Sequence, residues 1–79
     1  MTIGYVLIIT SPMHEHKVYN KLIKNKKIKE VHPLFGEYDL IIKIEFDDFQ
    51  SMGEFIVNEI RQLNGIIATK TLTGAPNFM

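Results

Sequence analysis

The stretch Ile3–Thr10, with the sequence IGYVLIIT, decides the fold of this chain. It is short, rich in β-branched residues and apolar at both sets of alternating positions. A strand with one solvated face would instead alternate apolar and polar residues. We therefore expect a central strand that is covered on both sides of its sheet.

The segment that follows is typical of a helix. Ser11-Pro12 offers an N-cap residue followed by proline at the first helical position. Apolar residues then recur at helical spacing, with lysine and asparagine residues opposite them. The apolar set comprises Val18, Tyr19, Leu22 and Ile23. The pattern predicts an amphipathic helix that ends near Asn25.

Two strands joined by a turn are predicted next. The first covers Ile28–Phe35, and Pro33 places it at a sheet edge, because proline has no N–H to donate to a neighbouring strand. Gly36-Glu37 supplies the turn. From Asp39 apolar and polar residues alternate up to Phe46, apart from an apolar Ile41 on the polar side. This alternation predicts a third strand with one buried face.

A second helix is predicted after Phe46. Asp47 or Asp48 is its expected cap, and Asp47 with Gln50 has the spacing of a capping box. An apolar stripe runs along it, formed by Phe49, Met52, Ile56, Ile60 and Leu63. Gly53 within this helix indicates close packing, because glycine otherwise weakens a helix. Asn64-Gly65 is the stop signal.

The chain closes with a fourth strand over Ile66–Thr73 and a short tail, Gly74–Met79. The resulting order, βαββαβ, predicts an α+β, ferredoxin-like fold as a single domain over residues 1–79. The first and third strands are expected inside the sheet, with both helices on one face. The other face would carry Tyr5 or Val6, Ile8 and Ile41, depending on the register. Such an open apolar face predicts a homodimer packed sheet to sheet.

Composition narrows the classes of function. Lysine and arginine total 9, and aspartate and glutamate also total 9, so there is no basic surplus for phosphate binding. The lysine cluster at residues 24–29 is interpreted as a solvated helix end. The absence of cysteine excludes disulfides and thiolate chemistry. The apolar start has no positively charged leader and is too short to span a bilayer, which favours the cytoplasm.

No catalytic or metal motif stands out. His14 and His16 are two residues apart, which turns their rings roughly 200° away from each other on a helix of 3.6 residues per turn. Zinc sites on helices use a spacing of four residues. His32 is the one plausible base for a small enzyme, and no nucleophile motif or phosphate loop accompanies it. We expect neither an enzyme nor a cofactor.

Two polar segments lie at strand ends instead. Gly36-Glu37-Tyr38-Asp39 combines a flexible turn, a phenol and a carboxylate, and Thr69-Lys70-Thr71 places two hydroxyls on one side of the last strand. A carboxylate and exposed backbone amides suit a zwitterion. A plain hairpin turn and a solvated threonine ladder are the alternative.

The chain resembles the effector-binding domain of the Lrp/AsnC transcriptional regulators. The likeness covers Ile3 to Thr73 and is carried by four pieces of sequence. They are the YVLI strand at Tyr5–Ile8, the turn Gly36-Glu37-Tyr38-Asp39-Leu40, Phe55-Ile56, and Leu63-Asn64-Gly65-Ile66 leading into Thr69-Lys70-Thr71.

The resemblance implies a domain that dimerises through its sheet, often assembles into octamers, and binds an amino-acid effector between dimers. The implied ligand-binding residues are Gly36, Glu37, Tyr38, Asp39, Thr69 and Thr71. Asp39 would pair with the ammonium group, backbone amides near Gly36 would take the carboxylate, and Glu37 stands at a variable position.

A family member usually carries an N-terminal helix-turn-helix, whereas this chain starts at the first strand of the effector domain. Direct nucleic-acid or membrane binding is therefore not expected. The favoured function is a stand-alone, oligomerising module that binds a small effector and modulates full-length regulators. The alternatives are a ligand-free assembly domain that pairs with such regulators, and a small enzyme on the dimeric α+β barrel version of the fold.

Overall fold

The polypeptide forms four strands and two helices in the predicted order. A computed structural model describes residues 1–74. Its elements are β1 (Thr2–Thr10), α1 (Glu15–Ile23), β2 (Ile28–Pro33), β3 (Leu40–Phe46), α2 (Phe49–Phe55) and β4 (Ile66–Thr73). A π-helical turn, Ile56–Ile60, continues directly from α2. Residues 75–79 of the predicted tail lie outside the described part.

The strands form one antiparallel sheet in the order β2-β3-β1-β4. The prediction that the first and third strands lie inside is confirmed. Pro33 is in an edge strand, as expected from its missing N–H. β1 is hydrogen-bonded on both sides, so this apolar strand lies in the interior of the sheet.

Both helices cover one face of the sheet. The core between them contains Val6, Ile8, Leu40, Ile42 and Ile44 from the strands, and Val18, Leu22, Met52, Phe55, Ile56 and Ile60 from the helical segments. Burying one such aliphatic side chain contributes about 1.5–3 kcal/mol to the free energy of unfolding. Because side chains alternate between the two faces of a strand, the apolar ones point to one face of the sheet. Their burial holds the helices against this face.

Within residues 1–74, no helix covers the opposite face of the sheet. We call it the open face, and it carries Ile3, Tyr5, Leu7 and Ile9 of β1, Ile41 of β3, and Ala68 and Leu72 of β4. Tyr5 and Ile41 lie on the open face, as one of the two predicted registers requires. The alternative with Val6 and Ile8 on this face is wrong, because both side chains are fully buried beneath the helices.

The first helix begins later than predicted. Ser11-Pro12 does not cap α1, which starts at Glu15 without a side-chain cap. The backbone N–H of Ser11 donates to the carbonyl of Gly65, and the Ser11 carbonyl accepts from the N–H of His14 at 2.9 Å. Ser11 is thus held beside the start of β4, and a turn separates it from the helix. α1 ends at Ile23, two residues before Asn25.

The cap of α2 is Asp48. Its carboxylate accepts the backbone N–H of Ser51 at 2.7 Å, and this hydrogen bond lowers the pKa of Asp48. The predicted capping box between Asp47 and Gln50 is wrong, because the Gln50 amide instead lies 3.5 Å from the carboxylate of Glu54.

Three further details differ from expectation. β2 ends at Pro33 rather than Phe35. Phe49, placed on the apolar stripe of the second helix, is 61% exposed. Gly53 does not mark close packing, because a Cβ at this position would meet nothing within 4 Å.

Gly65 is required by the turn before β4. Its φ is +104°, a backbone conformation that residues with a side chain rarely adopt. A Cβ at Gly65 would also overlap the Cβ of His14 and lie 2.9 Å from its Cγ. The predicted helix stop at Asn64-Gly65 is wrong, because the helical segment already ends at Ile60. The turn at Gly65 instead brings the start of α1 against the start of β4.

Gly65→Ala and Gly53→Ala are expected to change stability in opposite directions. Gly65→Ala should lower the free energy of unfolding by more than about 1 kcal/mol, because of the positive φ and the contact with His14. Gly53→Ala should raise it by about 0.5–1 kcal/mol, because alanine favours an exposed helix. Urea unfolding at one fixed protein concentration measures both. Equal stability of the Gly65→Ala variant and the wild type would contradict the packing described for this turn.

Candidate functional site

An open cleft of about 710 Å³ lies between α1 and the loop that follows β2. Its lining combines apolar side chains with two carboxylates and one imidazole. The residues are Glu15, His16, Tyr19, Pro33, Leu34, Phe35, Gly36, Asp39 and Leu40. Lysine and arginine do not occur in this lining. The cleft therefore offers an apolar wall and a negative rim, which suit a ligand with a cationic group.

The loop between β2 and β3 is fixed at its base by main-chain hydrogen bonds. The N–H of Leu34 donates to the carbonyl of Asp39, and the N–H of Asp39 donates to the carbonyl of Ile8, each at 2.9 Å. Gly36 has a φ of +113° where the loop reverses. Phe35 is fully exposed at the tip. The loop thus presents an apolar ring to solvent from a rigid base.

Asp39 fastens this loop to the end of the central strand. Its Oδ2 accepts the backbone N–H of Thr10 at 2.8 Å and the Thr10 hydroxyl at 3.3 Å. Thr10 is only 5% exposed, so this carboxylate satisfies a buried donor pair. Within residues 1–74, the hydrogen bonds of Asp39 leave Oδ1 unused. Asp39 therefore has a structural role, and one oxygen remains able to accept from a ligand.

Thr69 and Thr71 lie at the other edge of the sheet. They pair with Ile8 and Val6 of β1, on the face that the helices cover. The Thr69 hydroxyl accepts from Nε of Arg61 at 3.2 Å. Thr71 lines a separate groove beside α2, together with Phe49 and Val57.

The predicted site residues thus divide into two groups within one chain. Gly36 and Asp39 lie together in the cleft, whereas Thr69 and Thr71 are on the far side of β1. Two strand spacings of roughly 4.8 Å separate the backbones of β3 and β4. Glu37 is exposed and Tyr38 half-buried, and neither lines the cleft.

Sequence reasoning did not find the α1 residues of the cleft. Glu15, His16 and Tyr19 occur on one helical face, since residues three and four apart are neighbours on a helix. That spacing was visible in the sequence, but the position of this face beside the β2–β3 loop was not.

His14 and His16 do not form a joint metal site. Nδ1 of His14 lies 3.3 Å from the Ser11 hydroxyl, while His16 faces the cleft. In the described chain, no three histidine, aspartate or glutamate side chains are grouped as a metal ion would require. The described helices include none with the length and apolar character needed to cross a membrane.

Known proteins share this architecture along nearly the whole chain. Uncharacterized HTH-type transcriptional regulator PYRAB16920 from Pyrococcus abyssi is 26% identical over 74 residues, which cover 90% of this chain and 49% of the relative. The crystal structure of FFRP-DM1 superposes with a TM-score of 0.90 at 33% identity, over 95% of this chain and 100% of that one.

A more distant structure shares the fold and contains a ligand. It is the L-Met complex of transcriptional regulator NMB0573 from Neisseria meningitidis, with a TM-score of 0.85 at 11% identity, over 99% of this chain and 52% of that one. The chain spans about half the length of the curated relatives that it matches.

The family assignment rests on the part of the sequence that runs from β1 to β4. Residues 4–73 match the family described as the Lrp/AsnC ligand binding domain. This range contains all four strands, both helices and the cleft. The chain belongs to the Lrp/AsnC ligand-binding domain family, whose relatives here include transcriptional regulators.

Proposed function

We propose that this chain is an oligomerising regulatory module that binds an amino acid at the Gly36–Asp39 segment. The observation that carries the proposal is the geometry of Asp39. One of its carboxylate oxygens is held by Thr10, and the other is unused at the rim of an apolar cleft. A fixed carboxylate next to an apolar wall matches the ammonium group and side chain of an amino acid.

The lining of the cleft supports a position for each part of such a ligand in this proposal. The ammonium group donates to Oδ1 of Asp39, and the apolar side chain packs against Tyr19 and Leu34. Backbone amides near Gly36 receive the carboxylate, because no lysine or arginine lines the cleft. Glu37 and Tyr38 lie in the same loop. They respond to the bound ligand through the conformation of this loop.

Thr69 and Thr71 enter the proposed site from a second dimer. They are too far from Asp39 to share a ligand within one chain, since β1 lies between them. Assembly of dimers into a larger closed particle, such as an octamer, brings one chain's β2–β3 loop to another chain's β4. The exposed Phe35 at the loop tip supplies apolar surface for that contact.

The dimer itself forms through the open face. Tyr5 and Leu72 are 36% and 46% exposed in the single chain, beside the partly exposed Leu7 and Ile41. A contiguous apolar sheet face of this kind is covered in soluble proteins by another surface. A second copy provides the matching one, because a two-fold interface uses the same patch on both chains.

The proposed role is regulation in the cytoplasm rather than catalysis. The relatives that this chain matches are named as transcriptional regulators, and NMB0573 was crystallised with L-Met. The module acts by joining the assemblies of such regulators or by reporting effector levels to them.

Amino acids are expected to raise the melting temperature of the wild-type chain. A ligand at one hundred times its Kd adds about 2.7 kcal/mol to the free energy of unfolding. Asp39→Asn should keep the fold, because the amide oxygen still accepts from Thr10, but should weaken binding about ten- to a hundredfold by removing the charge. A thermal-shift screen of the twenty amino acids, followed by calorimetry, measures both.

Glu54→Gln is the matched control, since it removes one carboxylate charge from an exposed position of α2, outside the cleft. Asp39→Ala should lower the free energy of unfolding by about 1–3 kcal/mol, because Thr10 loses its acceptor. No stabilisation by any amino acid at millimolar concentration would contradict effector binding. It would favour the second candidate, a ligand-free assembly domain, for which the open face is the specific observation.

Leu7→Glu is expected to convert the dimer to a monomer. The substitution places a carboxylate at the centre of the open face, where burial without a partner is unfavourable. Phe49→Glu is the matched control, because Phe49 is also exposed and apolar but lies on α2. Sedimentation velocity at micromolar concentration gives the mass of each variant. A Leu7→Glu dimer as stable as the wild-type dimer would overturn this interface.

A further inference from the structure

The lysines of this chain are concentrated in one segment. Six of the eight lysines lie within residues 16–29, and this stretch contains no aspartate or glutamate. All six are exposed, and they are Lys17, Lys21, Lys24, Lys26, Lys27 and Lys29. The balanced charge of the whole chain therefore conceals a local excess of positive charge.

Three of these lysines lie along one side of α1. An α-helix turns about 100° per residue, so Lys17, Lys21 and Lys24 lie within about 60° of one another around its axis. The buried residues Val18 and Leu22 point to the core, about 110° further round the helix. The three lysines thus form a row about 10 Å long on the side of α1 that faces solvent.

The turn after α1 is held in place by Glu59. The N–H of Lys27 donates to Oδ1 of Asn25 at 2.9 Å, which fixes the shape of the turn. Oε1 of Glu59 accepts from Nδ2 of Asn25 at 3.3 Å, and Oε2 accepts from Nζ of Lys27 at 3.1 Å. Nζ of Lys27 also lies 5.8 Å from the centre of the Phe55 ring. Both oxygens of Glu59 therefore anchor the turn, and the charge of Lys27 is neutralised.

The other five lysines of the segment have no such partner. Within residues 1–74, the ion pairs that involve lysine join Lys27 to Glu59 and Lys43 to Glu30. Beyond the row on α1, one lysine lies in the anchored turn and one in β2, the edge strand that α1 contacts. We call these five residues the lysine surface, and they are Lys17, Lys21, Lys24, Lys26 and Lys29.

The arrangement of these charges is unfavourable for the chain by itself. Lys17 and Lys21 are four residues apart on α1, where like charges repel each other. Lys17 also lies in the first turn of α1, where the helix dipole disfavours a cation. The interpretation of the cluster as a solvated helix end suits Lys24, at the carboxyl end, but does not extend to Lys17. A bound polyanion would remove this repulsion.

Duplex DNA matches the spacing and the chemistry of the lysine surface. It carries one phosphate charge for about every 1.7 Å of its axis, so the row on α1 is long enough to meet several phosphates. Lysine binds a phosphate as a point charge and needs no fixed orientation to do so. Arginine, which commonly reads guanine bases, does not occur in residues 16–29. The surface is therefore suited to the phosphate backbone rather than to a particular base sequence.

An anionic membrane fits this surface less well. A helix that lies on a lipid layer inserts its apolar face into the layer. The apolar face of α1, with Val18 and Leu22, is already buried in the core of the domain. Ile23 is 50% exposed, but it points about 120° away from the row of lysines.

We propose that the lysine surface binds the phosphate backbone of duplex DNA without sequence preference. This activity is separate from effector binding, since the lysine surface and the cleft share no residue. It replaces the expectation from composition that the chain itself does not bind nucleic acid. The choice of DNA rests on the proposed regulatory function, because a module that joins the assemblies of transcriptional regulators is held beside DNA.

The salt dependence of binding tests the proposal, measured by fluorescence anisotropy with a labelled DNA duplex of about 20 base pairs. Each lysine that neutralises a phosphate contributes about 0.9 to the slope of log affinity against log salt concentration. Five lysines should therefore lower the affinity about 500-fold between 50 and 200 mM salt. Two duplexes of unrelated sequence should bind the wild type within about threefold of each other.

The variant Lys17→Gln/Lys21→Gln/Lys24→Gln is expected to bind about tenfold more weakly, or worse, in 50 mM salt. Its slope should fall by about 2.7 for each chain that contacts the duplex. The variant Lys17→Arg/Lys21→Arg/Lys24→Arg keeps the charges and should bind within about threefold of the wild type.

Lys70→Gln is the control, because it removes one positive charge from an exposed position of β4, outside the lysine surface. It should leave the slope unchanged, whereas Lys21→Gln should lower the slope by about 0.9. Circular dichroism of each variant establishes that the fold is kept.

Unweakened binding by the triple glutamine variant would overturn the proposal. A preference of more than about tenfold for one DNA sequence, or for duplex RNA of the same sequence, would also overturn it. Vesicles of phosphatidylcholine and phosphatidylserine provide the last test. If the wild type binds these vesicles but not the DNA duplex in 50 mM salt, the surface belongs to a membrane contact instead. None of these results depends on the thermal shifts that test effector binding, so the two proposals can fail separately.

Discussion

The hydrogen bonding of β1 to both β3 and β4 is the constraint on which the rest of the structure depends. It gives the central strand two faces in different surroundings, with Val6 and Ile8 beneath the helices and Tyr5 and Leu7 on the open face. A shift of one residue in this pairing would exchange the two sets of side chains. The same register fixes the end of β1, where Thr10 meets Asp39.

Local signals were sufficient for most of the fold. Pro33 indicated an edge strand through its missing N–H, and Asp48 indicated the cap of the second helix through its carboxylate. Both properties belong to a single residue and need no knowledge of distant contacts. The start of α1 was wrong for the opposite reason, since Ser11 is engaged by Gly65 on another element. Gly53 was misread because an exposed glycine and a packed one look alike in sequence.

The same reasoning predicted only part of the candidate site. The turn at Gly36–Asp39 could be recognised from its residue types, and the structure adds that Asp39 also ties its loop to Thr10. One residue of the apolar wall, Tyr19, is contributed by a helix far away in sequence. The distance between Asp39 and the threonines of β4 follows from the strand order, in which β1 lies between β3 and β4. Because of this separation, the proposed effector site needs residues from more than one chain.

The first and last strands run side by side in opposite directions, and the N–H of Gly74 donates to the carbonyl of Ile3. The start of β1 and the end of β4 therefore meet at one end of the sheet. The Thr10–Asp39 contact beside the cleft lies seven residues beyond Ile3 along β1, or roughly 23 Å away. A polypeptide fused to the start of β1 or to the end of β4 would therefore leave the domain far from the cleft. Such fusion proteins can be made without obstructing the opening of the cleft.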